Sequence, residues 1–171
     1  MRRTTELARP DKAWAEPERP TVFLSYSHQD ETWKERVSRQ LRVVGELEVW
    51  DDRRIAVGTD WYPEIEGAIE RAQVAVLLIS DAFLTSKFIL GVEVPRLLQR
   101  RQTDGLTVLP VIVRPCAWQT VDWLAKIQCF PKDGRALALY RRKADADEQL
   151  AALTLKVRES LRGTLSPRRS Y

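Results

Sequence analysis

The sequence predicts an α/β fold in which a five-stranded, mainly parallel sheet is wound with helices on both faces. Three observations carry this. Short apolar runs alternate with stretches whose apolar residues recur every three or four positions, in the order strand then helix, five times over. One run, Val74–Ile79 (VAVLLI), is apolar at every position, as a central strand covered on both faces must be. The chain has 171 residues, which suits one domain with a substantial core.

The first strand is expected over Thr21–Tyr26 (TVFLSY), giving way to the turn and cap residues Ser27, His28, Gln29 and Asp30. A helix follows, with Trp33, Val37, Leu41 and Val44 on one face, and Gly45 ends it. Leu47–Trp50 reads as a short, less buried strand, and Asp51–Asp60 as a polar loop. The second helix covers about 61–71, with Pro63 in its first turn, where a missing N–H costs nothing. After the central strand, a helical stretch runs from about Ser86 to Arg100 and contains Pro95, so a kink or break is expected near 91–95. Thr107–Val113 is a buried strand in which Pro110 signals an edge, a bulge or an early end of the ladder. A short helix is expected over 118–127 with Trp118, Trp123 and Ile127, then a turn at 131–134, a last strand at Ala136–Tyr140, and a final helix with Leu150, Leu153, Val157 and Leu161 on one face.

Strict alternation implies βαβ units with right-handed crossovers. Ligands of such sheets bind outside the carboxyl ends of the strands. This gathers Ser25–Asp30, Asp51–Trp61, Ser80–Ser86 and Arg114–Trp118 on one rim. No glycine-rich dinucleotide fingerprint and no Walker motif is present, which argues against an ATPase or GTPase.

Residues 1–20, with Pro10, Pro17 and Pro20, read as a flexible leader or linker, and 163–171 as a flexible tail, leaving 21–162 as the folded unit. The start has no apolar signal region and no stretch is long enough to span a bilayer, so a cytoplasmic location is the default and no membrane partner is expected. Cys116 and Cys129 are too few for a disulfide framework, and with a single histidine they fit no usual zinc pattern, so no metal is expected. The net charge of +4 is scattered rather than gathered into a basic run, and no base-reading motif accompanies it; nucleic-acid binding by this domain is not expected.

Glu93 lies in the otherwise apolar FILGVEVPRLL. A carboxylate is costly to bury unpartnered, so it should face the rim cleft, a solvent-filled groove or a cation, or else serve as an acid at the start of a helix after the kink. Ser86 suits a helix cap, as does Asp60. Trp61 reads as a packing anchor where the loop meets its helix, with base stacking as the other use. His28 suits a turn residue on the rim; the other use is as a general base that activates water near neutral pH.

Taken together, VFLSYSHQD at 22–30, VWDDRRIAVGTDW at 49–61, VAVLLISDAFLTSKFILGVEVPRLL at 74–98, LPVIVRPCAW at 109–118 and PKDGRALAL at 131–139 resemble the TIR (Toll/interleukin-1 receptor) domains of bacterial proteins, over about 21–160. The resemblance implies a flavodoxin-like doubly wound TIR sandwich. It implies an NAD+ glycohydrolase, or cyclase, with NAD+ as substrate and no further cofactor, that releases nicotinamide and leaves ADP-ribose or a cyclic isomer. Glu93 would be its catalytic residue, with Tyr26, Ser27 and Ser86 lining the substrate site. Arg53 and Arg54 would meet the pyrophosphate, and Trp61 would contribute to the same site. Members often carry an aromatic residue four positions before the glutamate; here that position is Ile89, beside Phe88. The loop with Asp51, Asp52, Gly58 and Asp60 would contact a neighbouring copy and complete its site. The implied partners are other TIR domains and a fused or associated sensor domain, in immunity against phage. Other members only assemble, so the alternative is a non-enzymatic homotypic signalling module; a receiver-like or flavodoxin-like binding domain explains the motifs less well. A Glu93 turned toward the ends of the first and third strands points to the enzyme, and a buried or outward one to the module.

Overall fold

The computed structural model describes residues 19–54 and 57–165, with no account of the Arg54 side chain or of side chains 163–165. The expected leader lies almost wholly outside the described residues, as does the tail beyond 165. Four strands form one parallel sheet: β1 (Thr21–Ser25), β2 (Glu48–Trp50), β3 (Ala72–Ile79) and β4 (Thr107–Ile112), in the order β2-β1-β3-β4. The helices are α1 (Glu31–Leu41), α2 (Trp61–Arg71), α3 (Asp81–Leu84), α4 (Val94–Thr103), α5 (Asp122–Ala125) and α6 (Lys143–Leu165). The last of these continues three residues past the boundary expected at 162.

Alternation along each strand sorts the core into two layers. Val22, Leu24, Val74, Val76, Leu78, Val111 and Val113 pack with Trp33, Val37 and Leu41 of α1 and Leu150, Leu153 and Val157 of α6. Phe23, Ala75, Leu77, Ile79 and Ile112 pack on the other face, with Ile65 and Ile69 of α2, Phe83 of α3, Leu97 of α4 and Leu124 of α5. β3 is covered on both sides, as its unbroken apolar run requires. The short edge strand β2 is anchored by Trp50 stacked on Phe23 at 5.2 Å. Gly45 ends the first helical stretch at φ 77°, a conformation glycine adopts without steric cost.

Among the described residues the sheet has four strands, not the expected five. Ala136–Tyr140 contains a 3-10 turn, Leu137–Leu139, and offers the sheet one bond, from Ala138 N–H to the Val113 carbonyl. The place beside β4 is taken by a single bridge between Val111 and Phe130. Phe130 N–H donates to the Pro110 carbonyl, and Ile112 N–H to that of Phe130. Pro110 has no N–H to extend this ladder backward, and the turn closed by Gly134 N–H on the Pro131 carbonyl leads the chain away in the forward direction. Pro110 thus marks a near-edge strand, one of the readings its presence allowed.

The kink expected near 91–95 is a π turn over Ile89–Glu93, in which Val94 N–H reaches back to the Ile89 carbonyl. Pro95 then falls in the first turn of α4, where its missing donor is not needed. No helix among the described residues is long and apolar enough to cross a membrane.

Candidate functional site

Connections from β1 lead to one edge of the sheet and those from β3 to the other, so the winding reverses between β1 and β3. A crevice opens at such a reversal, above the strand ends. Ser25 closes β1 there. It shares the face of Phe23, so its hydroxyl points toward the α4 side, where the π turn presents Glu93. Ser25 Oγ donates to Glu93 Oε2 at 2.6 Å.

Glu93 is only 6% exposed, and no ion pair among the described residues includes it. Burial pushes its carboxyl up from the ordinary 4.5 to about 7; the Ser25 hydrogen bond pulls it down, the Asp52 charge raises it and His28 lowers it. Glu93 therefore both faces the end of β1 and is closed off from bulk water.

Beside this pair, Asp52 ties the loop after β2 to the end of β1. Tyr26 Oη donates to Asp52 Oδ1 at 3.0 Å, and His28 Nε2 bonds Asp52 Oδ2. Burial, then the neighbouring Asp52 carboxylate, push the Tyr26 phenol well above its usual range. Under Tyr26 lies the buried Lys34, its ammonium 5.4 Å from the ring centroid and paired with Glu31 at 3.0 Å, Glu35 at 2.8 Å and Asp51 at 3.7 Å. Burial works against its charge, but the bonds to Glu35 and Glu31 and the Asp51 carboxylate hold Lys34 above its usual range.

The expected site residues separate in this geometry. Tyr26 and Asp52 meet at the crevice. Ser27 caps the 3-10 turn His28–Asp30, accepting from Gln29 N–H, and Ser86 accepts from Ile89 N–H at 3.3 Å; both hydroxyls act as caps. Arg53 turns to α1, pairing with Glu31 at 2.9 Å and Glu35 at 3.8 Å, while the Arg54 side chain lies outside the described part. Asp51 is 7% exposed and held by Lys34 and by Arg53 N–H. Gly58 sits at φ 88°, and Asp60 holds the cap position of α2 with no side-chain bond. Trp61, 53% exposed, meets Phe88 edge-on at 5.1 Å and Tyr62 at 5.7 Å. Ile89 is buried in the core, so the aromatic surface near the π turn comes from Phe88 and Trp61.

Reading the sequence alone did not single out a second polar node above the strand ends. Asp30 is fully buried; Ser80 Oγ donates to its Oδ2, and Arg114 Nε donates to its Oδ1 at 2.5 Å. Ser80 also caps α3, accepting from Phe83 N–H at 3.1 Å. The node joins the ends of β1, β3 and β4. Each member follows an apolar strand directly or within a few residues, and that placement was its only trace in the sequence.

Comparison with known proteins agrees with this architecture. The chain is 32% identical over 144 residues to the uncharacterized protein y4lF of Sinorhizobium fredii, covering 82% of this chain and 43% of that protein. It therefore spans less than half the length of that relative. Two solved structures share the fold: the TIR domain of the Toll-related receptor TRR-2 from Hydra magnipapillata (TM-score 0.54, 16% identity, 82% of this chain and 97% of that one) and the RPS4 and RRS1 TIR domain heterodimer (TM-score 0.57, 17% identity, again 82% and 97%). Residues 22–153 match the family model for the TIR domain. With this match spanning most of the chain, the protein belongs to the TIR domain family.

Proposed function

We propose that this domain cleaves NAD+ at the bond between nicotinamide and ribose, gated by self-assembly, in bacterial immune signalling. One observation carries the reading: a carboxyl with no cation partner among the described residues is buried at the strand reversal, held by Ser25. What such a group lacks is a positive charge, and the reaction brings one. As the bond from ribose C1′ to the nicotinamide nitrogen breaks, its electron pair leaves with neutral nicotinamide and the positive charge moves onto the ribose as an oxocarbenium ion. The Glu93 carboxylate stabilises that ion by charge. No strong acid is needed for the leaving group, so one carboxylate suffices where ordinary glycosidases use two. Attack by water, which gives up a proton to solvent, yields ADP-ribose; attack by the substrate's own adenine yields a cyclic isomer.

A second reading, a non-enzymatic module that signals by homotypic assembly, is favoured by the near-closure of Glu93 and by the exposed Val57, Trp61 and Tyr62 around the loop before α2. The two readings meet if assembly opens the site, a population shift between closed and open states. The RPS4 and RRS1 TIR domains form a heterodimer, which supports assembly here, and the greater length of the Sinorhizobium relative supports a sensor region joined to this domain.

The test is nicotinamide release from NAD+ across protein concentration, with and without a crowding agent, beside Glu93→Gln. Release that rises faster than linearly with protein and vanishes in the variant is expected. No release from demonstrably assembled protein would leave the assembly module.

A further inference from the structure

We propose that Arg114 holds the diphosphate of the dinucleotide, a role that rests on the reading of the site as NAD-cleaving. Of the two candidates from sequence, Arg53 has its guanidinium engaged by Glu31 and Glu35 on the α1 side, and the Arg54 side chain lies outside the described part. Arg114 is differently placed. It leaves the end of β4, where Val113 N–H and Arg114 N–H both bond the Ile79 carbonyl, at 3.0 and 3.4 Å. Its Nε is fixed at 2.5 Å by Asp30, a carboxylate with no solvent exposure whose other oxygen is taken by Ser80. The side chain is nonetheless 44% exposed, and among the described residues neither Nη has a bonded partner. The guanidinium is therefore held by its inner edge, with its outer N–H groups free. That is the arrangement in which arginine recognises two phosphate oxygens at once, with little rotamer freedom left to lose.

β4 stands two strands from β1, with β3 between them, and Ser25 is level with Leu77 and Pro110, so Arg114 lies about 10 Å across the sheet from Ser25 and, four residues beyond Pro110, up to about 13 Å further along it. A nicotinamide ribose over Ser25 and Glu93 would extend its 5′ side along the strand ends toward Arg114. Asp30 and Ser80 are positioning residues in this scheme, since they act through the guanidinium.

The experiment uses the full chain, with Arg114→Gln and Arg114→Lys beside wild type. ADP-ribose binding is titrated directly, and kcat/KM is measured for NAD+ and for nicotinamide riboside, which has the same scissile bond and no phosphate. Losing a charge-assisted contact should weaken ADP-ribose binding about tenfold in Arg114→Gln and lower the selectivity for NAD+ over the riboside by a similar factor. Arg114→Lys, which keeps charge without the fork, should fall between, and it carries the test if the Gln protein does not fold. The proposal is overturned if wild type binds no ADP-ribose, or if both variants bind it as wild type does with selectivity unchanged. Wild type that binds ADP-ribose through Arg114 yet releases no nicotinamide would sink the NAD-cleaving reading and leave this anion site standing.

Discussion

Replacing Glu93 by glutamine should stabilise the protein increasingly as pH rises from about 5 through 7, and not at pH 5 or below. The carboxyl titrates at about 7 in the folded chain against an ordinary 4.5, mainly because burial disfavours its charge. The folded state thus holds this proton more tightly than the unfolded one, so stability is greatest at low pH and falls as pH rises from 4.5 through 7. The full penalty, reached above pH 7, is about 3 kcal/mol. Glu93 is 6% exposed, so solvent screening does little to reduce it. Glutamine cannot ionise and escapes the penalty, but its amide brings N–H donors that cost about 1 kcal/mol where they find no partner. The net gain at pH 8 is then about 2 kcal/mol, with a small loss at pH 5. The difference between the two conditions, about 2.5 kcal/mol, does not depend on the amide cost, and titrating groups that do not interact with Glu93 cancel between the two proteins. For a chain of this size it corresponds to a melting shift of about 5–10 °C. Urea or thermal unfolding of both proteins at pH 5 and pH 8 measures it. A stability difference that is the same at both pH values would refute the burial argument, whatever the protein's activity.

Other consequences can be measured separately. If the ionised carboxylate is the working form, kcat/KM for NAD+ rises with pH through a single limb near 7, the folded value of Glu93, and is flat or absent in Glu93→Gln. Ser25→Ala removes the hydrogen bond that lowers the Glu93 carboxyl, so the same limb should move to higher pH and stability above pH 7 should drop by about 1 kcal/mol; an unmoved limb would detach Ser25 from Glu93. Asp30→Ala leaves the Ser80 hydroxyl and the Arg114 Nε without their shared acceptor and should lower stability by about 2 kcal/mol in urea unfolding. Gly58→Ala puts a Cβ into open space but at φ 88°, so its cost of about 1 kcal/mol should come from the backbone alone, with NAD+ cleavage following only if that turn is part of the assembly surface.

Much of the fold was legible because burial on two faces leaves a plain mark. Val74–Ile79 could hardly be anything but a central strand, and Gly45, Pro63 and Pro95 punctuate their elements as their backbones dictate. The fifth strand was misjudged because Ala136–Tyr140 is apolar enough for one, while the deciding features lie elsewhere: the donor missing at Pro110 and the turn after Phe130. The site was legible only in part. Glu93 stood out as a charge in an apolar stretch, but its partner Ser25 lies 68 residues away, and Arg114 is 84 residues from Asp30. Pairings across such distances come from strand order, which periodicity does not encode. The pairing of Arg53 has a local cause that its loop sequence did not show: Glu31 and Glu35, one helical turn apart on α1, both face its guanidinium.

The π turn links fold and chemistry. In a regular helix, Pro95 would clash with the Gly91 carbonyl and deny it a bond; the wider turn over Ile89–Glu93 absorbs that conflict and swings Glu93 onto the end of β1. Nothing in the packing requires a carboxyl there. An amide or an apolar side chain of similar size would satisfy the core better above neutral pH, and Lys34, the buried cation of this region, is already shared among Glu31, Glu35 and Asp51. A group that weakens the fold and has no countercharge among the described residues has its electrostatic demand met when a cation arrives from outside. The proposed reaction supplies one at the moment its barrier is crossed, so the same desolvation that costs stability in the resting protein strengthens the interaction in the transition state.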